Sequence, residues 1–354
     1  MVPQGWGAVG EIADAGGGGL RKNPHVSQNR ETWGTRRGAG AEEKIPTSRA
    51  KNAREMGHPL HIGSATAWMI RLAVTIFAPS IRLLATDIDG TLLNPEFKIS
   101  EGDLLALARA HAAGIEIVLV TGRRHQFALP IAQQLGFDLW LISSNGAVTR
   151  SLAGETFHRD MMPVATCRRL CGAMQEFRGH TVLTFDQETK GAIVLEHLEE
   201  MGPSIRRWLE KNMQYIEFVV PIENALIRDP VQAMYCGTMK RMSEARRALE
   251  SAGMDGTVTV LRTEYPERDL SMIDVLNAGC SKGHALERWA THRGYRREEV
   301  MAVGDNHNDV EMLEFAGHPV IMGNACEELL GRGWTVTRGN DACGLAAAVE
   351  LALG

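Results

Sequence analysis

From Ile81 to Gly146 short aliphatic runs alternate with amphipathic stretches, and that alternation limits the fold more than any other feature of the chain. Ile81–Ala85, Ile115–Val120 and Leu139–Ile142 are short and almost continuously apolar, which is the pattern of strands buried on both faces. Between the first two, Ser100 followed by Asp103 marks a helix start. Leu104, Leu105, Leu107 and Ala108 supply that helix with an apolar face, and Gly114 ends it. A second helix closes at Leu135-Gly136. Strand, helix, strand, helix, strand at this spacing predicts a parallel, doubly wound, Rossmann-like α/β sheet. Ligands of such sheets bind at the carboxyl ends of the strands. Those ends carry Asp87-Ile88-Asp89-Gly90-Thr91, Thr121-Gly122-Arg123 and Ser144-Asn145-Gly146, so Asp87, Thr121 and Asn145 are expected along one edge.

The pattern changes over residues 147–269, where strand pairs such as Thr181–Phe185 and Ala192–Leu195 are interspersed with helices at 168–177 and 244–252. This segment is expected to be an inserted α+β domain, since about 120 residues suffice for one. The doubly wound pattern resumes from residue 270. Ser271–Val275 is extended, Ser281-Lys282-Gly283 opens a helix, and Val300–Val303 is a strand ending in Gly304-Asp305-Asn306-His307-Asn308-Asp309. Outer strands at 318–322 and 334–336 and a helix at 342–351 complete it. Residues 61–146 and 270–354 thus form one core, with 147–269 as a cap.

Residues 1–60 are glycine-rich and lack apolar periodicity, a composition that predicts disorder and a dispensable extension, with Met56 or Met69 as the true start. They do not resemble a secretory signal. Ile62–Ala78 is apolar but slightly short for a bilayer and interrupted by Arg71, so a helix or extra strand is expected there, not a membrane anchor. A net charge of −5 argues against a nucleic-acid surface. The six cysteines form no Cys-x-x-Cys pair, which points to reduced thiols in a cytoplasmic protein and away from zinc.

Asp87 and Asp89 alternate along a strand end, so both carboxylates would share a side if the strand continued, with Gly90 turning the backbone. Two such acids repel unless a cation or a shared proton compensates them. A polar strand exit with aspartates capping local amides would also account for the pair taken alone. Lys282 in the first turn of a helix opposes the helix dipole, which favours a special role over a solvated surface one. Asp309 fits a helix-start residue facing the dipole. His307 is a possible ligand, but a hard cation's preference for oxygen makes it a bystander, as are His125 and His284.

Five pieces, in this order, resemble the haloacid dehalogenase superfamily, and within it the Cof-like, subfamily IIB phosphatases. They are Asp87-Ile88-Asp89-Gly90-Thr91-Leu92-Leu93, Val120-Thr121-Gly122-Arg123, Ser144-Asn145-Gly146, Ser281-Lys282-Gly283 and Gly304-Asp305-Asn306-His307-Asn308-Asp309. The resemblance covers nearly everything from Ile81 onward. It implies a Mg²⁺-dependent phosphatase of small phosphorylated metabolites, sugar phosphates or phosphorylated cofactors, acting as a monomer or homodimer without nucleic acid or membrane. Asp87 would be the nucleophile and Asp89 the acid–base group. Asp87, the backbone carbonyl of Asp89, and Asp305 would hold the metal, with Asp309 behind them. Thr121, Gly122, Asn145, Lys282 and Asn308 would bind phosphate. A phosphomutase would use the same aspartates. A silent phosphosugar-binding protein would lack Asp87 or Asp89, and both are present.

Overall fold

The computed structural model describes residues 81–354; the expectations for residues 1–60 and 62–78 lie outside the described residues. β1 (Leu83–Thr86) leads through α1 (Glu101–Ala112) to β2 (Glu116–Val120), and α2 (His125–Ala132) leads on to β3 (Trp140–Ser143). A hairpin follows, β4 (Val148–Ser151) and β5 (Thr156–Arg159). Next come α3 (Val164–Ala173), β6 (Thr181–Thr184), β7 (Ile193–Leu195), α4 (Pro203–Lys211) and β8 (Ile216–Phe218). β9 (Gln232–Gly237), α5 (Met239–Ser251), β10 (Val258–Tyr265) and β11 (Leu270–Asn277) complete that group. The alternation then returns with α6 (Lys282–Arg293), β12 (Val300–Gly304), α7 (Val310–Phe315) and β13 (His318–Ile321). α8 (Glu327–Leu330), β14 (Thr335–Val336) and α9 (Gly344–Leu353) end the chain.

The first sheet has the order β14-β13-β12-β1-β2-β3-β4-β5 and is parallel from β14 through β3. β1 lies at its centre because all four of its residues are buried. The period of two sends Leu84 to one face, with Leu107 of α1 and Val349 of α9, and Leu83 to the other, with Leu286 of α6 and Met312 of α7. Helices on both faces are what the doubly wound reading requires. α1 begins where expected: Ser100 Oγ accepts from the Asp103 amide at 3.0 Å. The buried Asp103 carboxylate in turn accepts from the Ala346 amide at 2.7 Å, tying α1 to α9.

The second sheet has the order β10-β11-β9-β6-β7-β8 and is antiparallel except between β7 and β8. One face packs on α3 and α5 through Leu183, Tyr235 and Ile273. Part of the other face is covered by Ile205, Trp208 and Leu209 of α4.

Strand pairing departs from the sequence reading at both joints. Residues 148–159, read as part of the insertion, extend the first sheet as the antiparallel β4–β5 hairpin. Residues 270–277, read as core, pair with β9 and β10 in the second sheet. Alternation along a strand reports that it is extended, whereas its choice of neighbours is a long-range matter. No helix among the described residues is long and apolar enough to cross a membrane. All six cysteines are free thiols.

Candidate active site

β1 delivers Asp87 to the carboxyl edge of the first sheet, where its amide still donates to the Val303 carbonyl at 3.0 Å. Gly90 then turns the chain with φ +85°, and a Cβ there would sit 2.2 Å from Asp305 Oδ2. Only glycine permits both the turn and that approach. Thr91 Oγ1 donates to Asp305 Oδ1 at 3.0 Å, so the exits of β1 and β12 are bonded to each other.

Lys282 enters from the first turn of α6, which Ser281 caps by accepting from the His284 amide at 3.2 Å. Its Nζ donates to Asp87 Oδ1 and to Asp309 Oδ1, both at 2.6 Å, and the lysine is 1% exposed. The other Asp309 oxygen accepts from the amides of Asp305 and Asn306, each at 3.0 Å. Gly146, at φ +105°, admits the start of α6; a Cβ would lie 2.2 Å from the Ser281 carbonyl oxygen.

One carboxylate oxygen from each of Asp87, Asp305 and Asp309 lies within 4.8 Å of the others. Three carboxylates face one ammonium, so negative charge is in excess. Burial pushes the Asp87 carboxyl up to about 7 against the pull of Lys282, with Asp309 and Asp89 adding to the rise. Burial, then Asp87 and Asp309, holds Asp305 well above the usual carboxylate range. Burial disfavours charge on Lys282 too, but Asp309 and Asp87 outweigh it and hold its pKa above the ordinary lysine range. Crowded oxygen donors with surplus negative charge fit a small, hard dication such as Mg²⁺.

The other expected residues lie along the same edge. Thr121 is buried, and its Oγ1 accepts from the Arg123 amide at 3.1 Å. The Asn145 amide donates to the Thr121 carbonyl at 3.0 Å. Ser144 and Asn145 are left-handed, with φ of 50° and 53°, a strain of about 1 kcal/mol or more apiece that sites of function commonly carry. Asn308 Nδ2 donates to Asn145 Oδ1 at 3.0 Å, and a Cβ on Gly122 would lie 3.1 Å from that same oxygen. His307 is turned toward Glu328, 4.0 Å away, and His125 is buried and neutral, its pKa pulled down to about 4 by burial and Arg150.

Two residues escaped the sequence reading. Arg123 grips the Asp89 carboxylate with Nε at 2.7 Å and Nη2 at 2.5 Å, a bidentate pair, and Asp89 stands outside the cluster of the other three carboxylates. Burial works against the guanidinium's charge, but Asp89 outweighs it and raises its pKa. Asp274 of β11 accepts from Asn145 Nδ2 at 3.1 Å and from Gln232 Nε2 at 3.0 Å. A lone acid in the apolar run Ser271–Val275 was the available signal for it.

Residues 84–349 match the model of the haloacid dehalogenase-like hydrolases. The chain belongs to that family. Among curated relatives, it is 31% identical over 261 residues to pyridoxal phosphate phosphatase YbhA of Escherichia coli, covering 71% of this chain and 91% of the relative. It is 28% identical over 289 residues to phosphatase YwpJ of Bacillus subtilis, covering 75% and 98%. A crystal structure of a haloacid dehalogenase-like hydrolase from Bacteroides thetaiotaomicron superposes with a TM-score of 0.64 at 27% identity, covering 77% of this chain and 99% of that one. The Cof-like, subfamily IIB branch read from the motifs accords with these matches, as does the enzyme class, a phosphoric monoester hydrolase.

Proposed function

We propose that this haloacid dehalogenase-like hydrolase is a Mg²⁺-dependent phosphatase that cleaves small phosphate monoesters through a phosphorylated Asp87. The supporting observation is the buried Lys282 bridging Asp87 and Asp309 at 2.6 Å, with Asp305 in the same carboxylate cluster. Unaided hydrolysis of phosphate monoesters is extremely slow, so the site has to gather an anion and neutralise developing charge. Mg²⁺ bound by Asp87, the Asp89 carbonyl and Asp305 would let carboxylate and phosphate approach despite their like charges.

Asp87 Oδ forms a bond to phosphorus as the ester P–O bond breaks, and Asp89 protonates the departing alcohol. Water then attacks phosphorus, Asp89 takes its proton, and the Asp87–phosphorus bond breaks to release phosphate. Arg123 occupies two of the Asp89 lone-pair directions and leaves the others for this transfer. Thr121, Gly122 and Asn308 bind phosphate oxygens, with Asn145 fixing Asn308. Lys282 supplies the fixed positive charge, and Asp309 positions it.

The second sheet is the cap that meets the leaving group; by strand pairing it spans about residues 160–278. Its closure would exclude water. Sugar phosphates and phosphorylated cofactors are the substrate classes, and the likeness to pyridoxal phosphate phosphatase YbhA favours the second. The phosphatase names of the relatives favour hydrolysis over mutase chemistry. The protein is read as cytoplasmic, a monomer or homodimer. The test is Mg²⁺-dependent phosphate release from 4-nitrophenyl phosphate: wild type should turn over and Asp87→Asn should not. Turnover by a folded Asp87→Asn protein would remove the nucleophile.

A further inference from the structure

One pocket joins the two sheets. Asp87 and Asp89 line it from the first sheet, and one face of the second sheet lines it from the other side. Strand register explains which side chains arrive there. Thr184 stands opposite both Ile193 and Gln232, Val182 stands opposite Met234, and Met234 stands opposite Asp274. Residues opposite one another share a face, so these six belong to one surface.

That surface is divided. Val182, Ile193 and Met234 make an apolar wall, which Trp208 of α4 and Phe127 of α2 extend. Phe127 meets the rings of Trp208 and Tyr215 edge-on, both with centroids 5.6 Å away, so an aromatic seam closes this side. Thr184, Gln232 and Asp274 make a polar strip. Thr184 is 5% exposed and Gln232 6%, yet Thr184 Oγ1 and Gln232 Oε1 have no hydrogen-bond partner. The orientation of Gln232 follows from its neighbour: its amide nitrogen donates to Asp274, so its oxygen is left to accept. Arg124 lines the same pocket, and its Nη1 is also without a partner, while Nη2 donates to the carbonyls of Phe185 and Gln187.

Buried polar atoms of this kind are normally paired, and unpaired ones on residues that line a pocket mark what its occupant must bring. Asp274 and Gln232 Oε1 accept, so the occupant's edge must donate to them, while Arg124 Nη1 is left for an acceptor on it. The wall offers nothing polar, so a polyol would leave hydroxyls unpaired against Val182, Ile193 and Met234. A flat ring would cover the wall and present its donor along one edge.

Building on the phosphatase reading, we propose that the leaving group is a flat, aromatic or heteroaromatic alcohol carrying an N–H or O–H on its ring edge. Asp274, Gln232 and Thr184 are the residues that select it. Sites built to bond a donor discriminate strongly against analogues that lack it.

The test is a comparison of kcat/KM for four phosphates: benzyl, 3,5-dihydroxybenzyl and cyclohexylmethyl phosphate, and glucose 6-phosphate. The dihydroxybenzyl ester should exceed the benzyl ester by about tenfold or more, and the benzyl ester should exceed the cyclohexylmethyl ester. Thr184→Val, which keeps size and strand preference, and Asp274→Asn should each shrink the dihydroxybenzyl-to-benzyl ratio at least about threefold. A purely structural role would lower both rates together and leave that ratio alone. Should Asp274→Asn fail to fold, the Thr184→Val ratio decides. An unchanged ratio, or a wild-type preference for glucose 6-phosphate or the cyclohexylmethyl ester, overturns the proposal while the phosphatase reading stands. Turnover of 4-nitrophenyl phosphate but of none of the four would likewise overturn the proposal, whereas turnover of none of the five would overturn that reading instead.

Discussion

The two sheets place their polar groups in opposite ways. In the parallel sheet the polar groups of the site lie just past strand ends, as Asp87 follows β1 and Asp305 follows β12. In the antiparallel sheet they are strand residues paired in the ladder, Thr184 closing β6, Gln232 opening β9 and Asp274 inside β11. Strand ends and helix starts bring free backbone amides and sharp turns, so charges there can be fixed from several directions; Asp309 holds a lysine and two amides at once. A strand face offers side chains at fixed spacing and little else, which suits recognition of a shape. Substitutions at the first should therefore abolish chemistry, and those at the second should alter preference.

The largest expected effect is at Asp87. Asp87→Asn should lower phosphate release by roughly 10³-fold or more with the thermal melt preserved, measured by phosphate assay beside calorimetry. Chelation of wild type should be as severe and should reverse on adding Mg²⁺; activity surviving thorough chelation would count against the metal. Lys282→Met removes the one ammonium bonded to Asp87 and Asp309, and denaturant melts should show a loss of about 3–5 kcal/mol. Arg123→Lys keeps the charge but loses the bidentate grip on Asp89, and kcat should fall by about tenfold to a hundredfold. An unaltered kcat would mean that Asp89 needs no such support.

The smallest effect belongs to the second sheet. Burial raises the Asp274 carboxyl to about 6, against the hydrogen bonds from Asn145 and Gln232. Its folded value thus exceeds that of the unfolded chain, so the folded state binds this proton more tightly. This contribution is fully present below about pH 4 and is lost as pH rises through about 6, amounting to about 3 kcal/mol. Asp274→Asn should flatten that part of the stability profile, measured by urea melts from pH 4 to 7. An unchanged slope would show that Asp274 does not titrate there.

Much of the first sheet was legible because each strand announced itself locally: an aliphatic run, then a polar turn with glycine. The convergence of Asp87, Thr121, Lys282 and Asp305 followed, since a parallel sheet collects strand ends on one edge. Arg123 was written beside Thr121, but its grip on Asp89 exists only because β1 and β2 are neighbours. The left-handed pair Ser144 and Asn145 was hidden because serine is an ordinary residue almost anywhere. The strand Ser271–Val275 was legible as extended and illegible as a member of the second sheet, because nothing within it specifies β9 and β10 as partners.

The bond between Asp87 and Lys282 joins residues 195 positions apart, and β12, the neighbour of β1, begins only at Val300. A ribosome delivers the chain from its amino end, so β1 emerges long before that neighbour exists. Until then one side of the most buried strand is a bare row of amides and carbonyls, open to the wrong partner. Arrested nascent chains ending before residue 300 should therefore be held by a chaperone, and chains that include β12 should be released. Cleavage or arrest between Asp87 and Lys282 would leave a nucleophile without its lysine, so copies that stop there should be chemically silent.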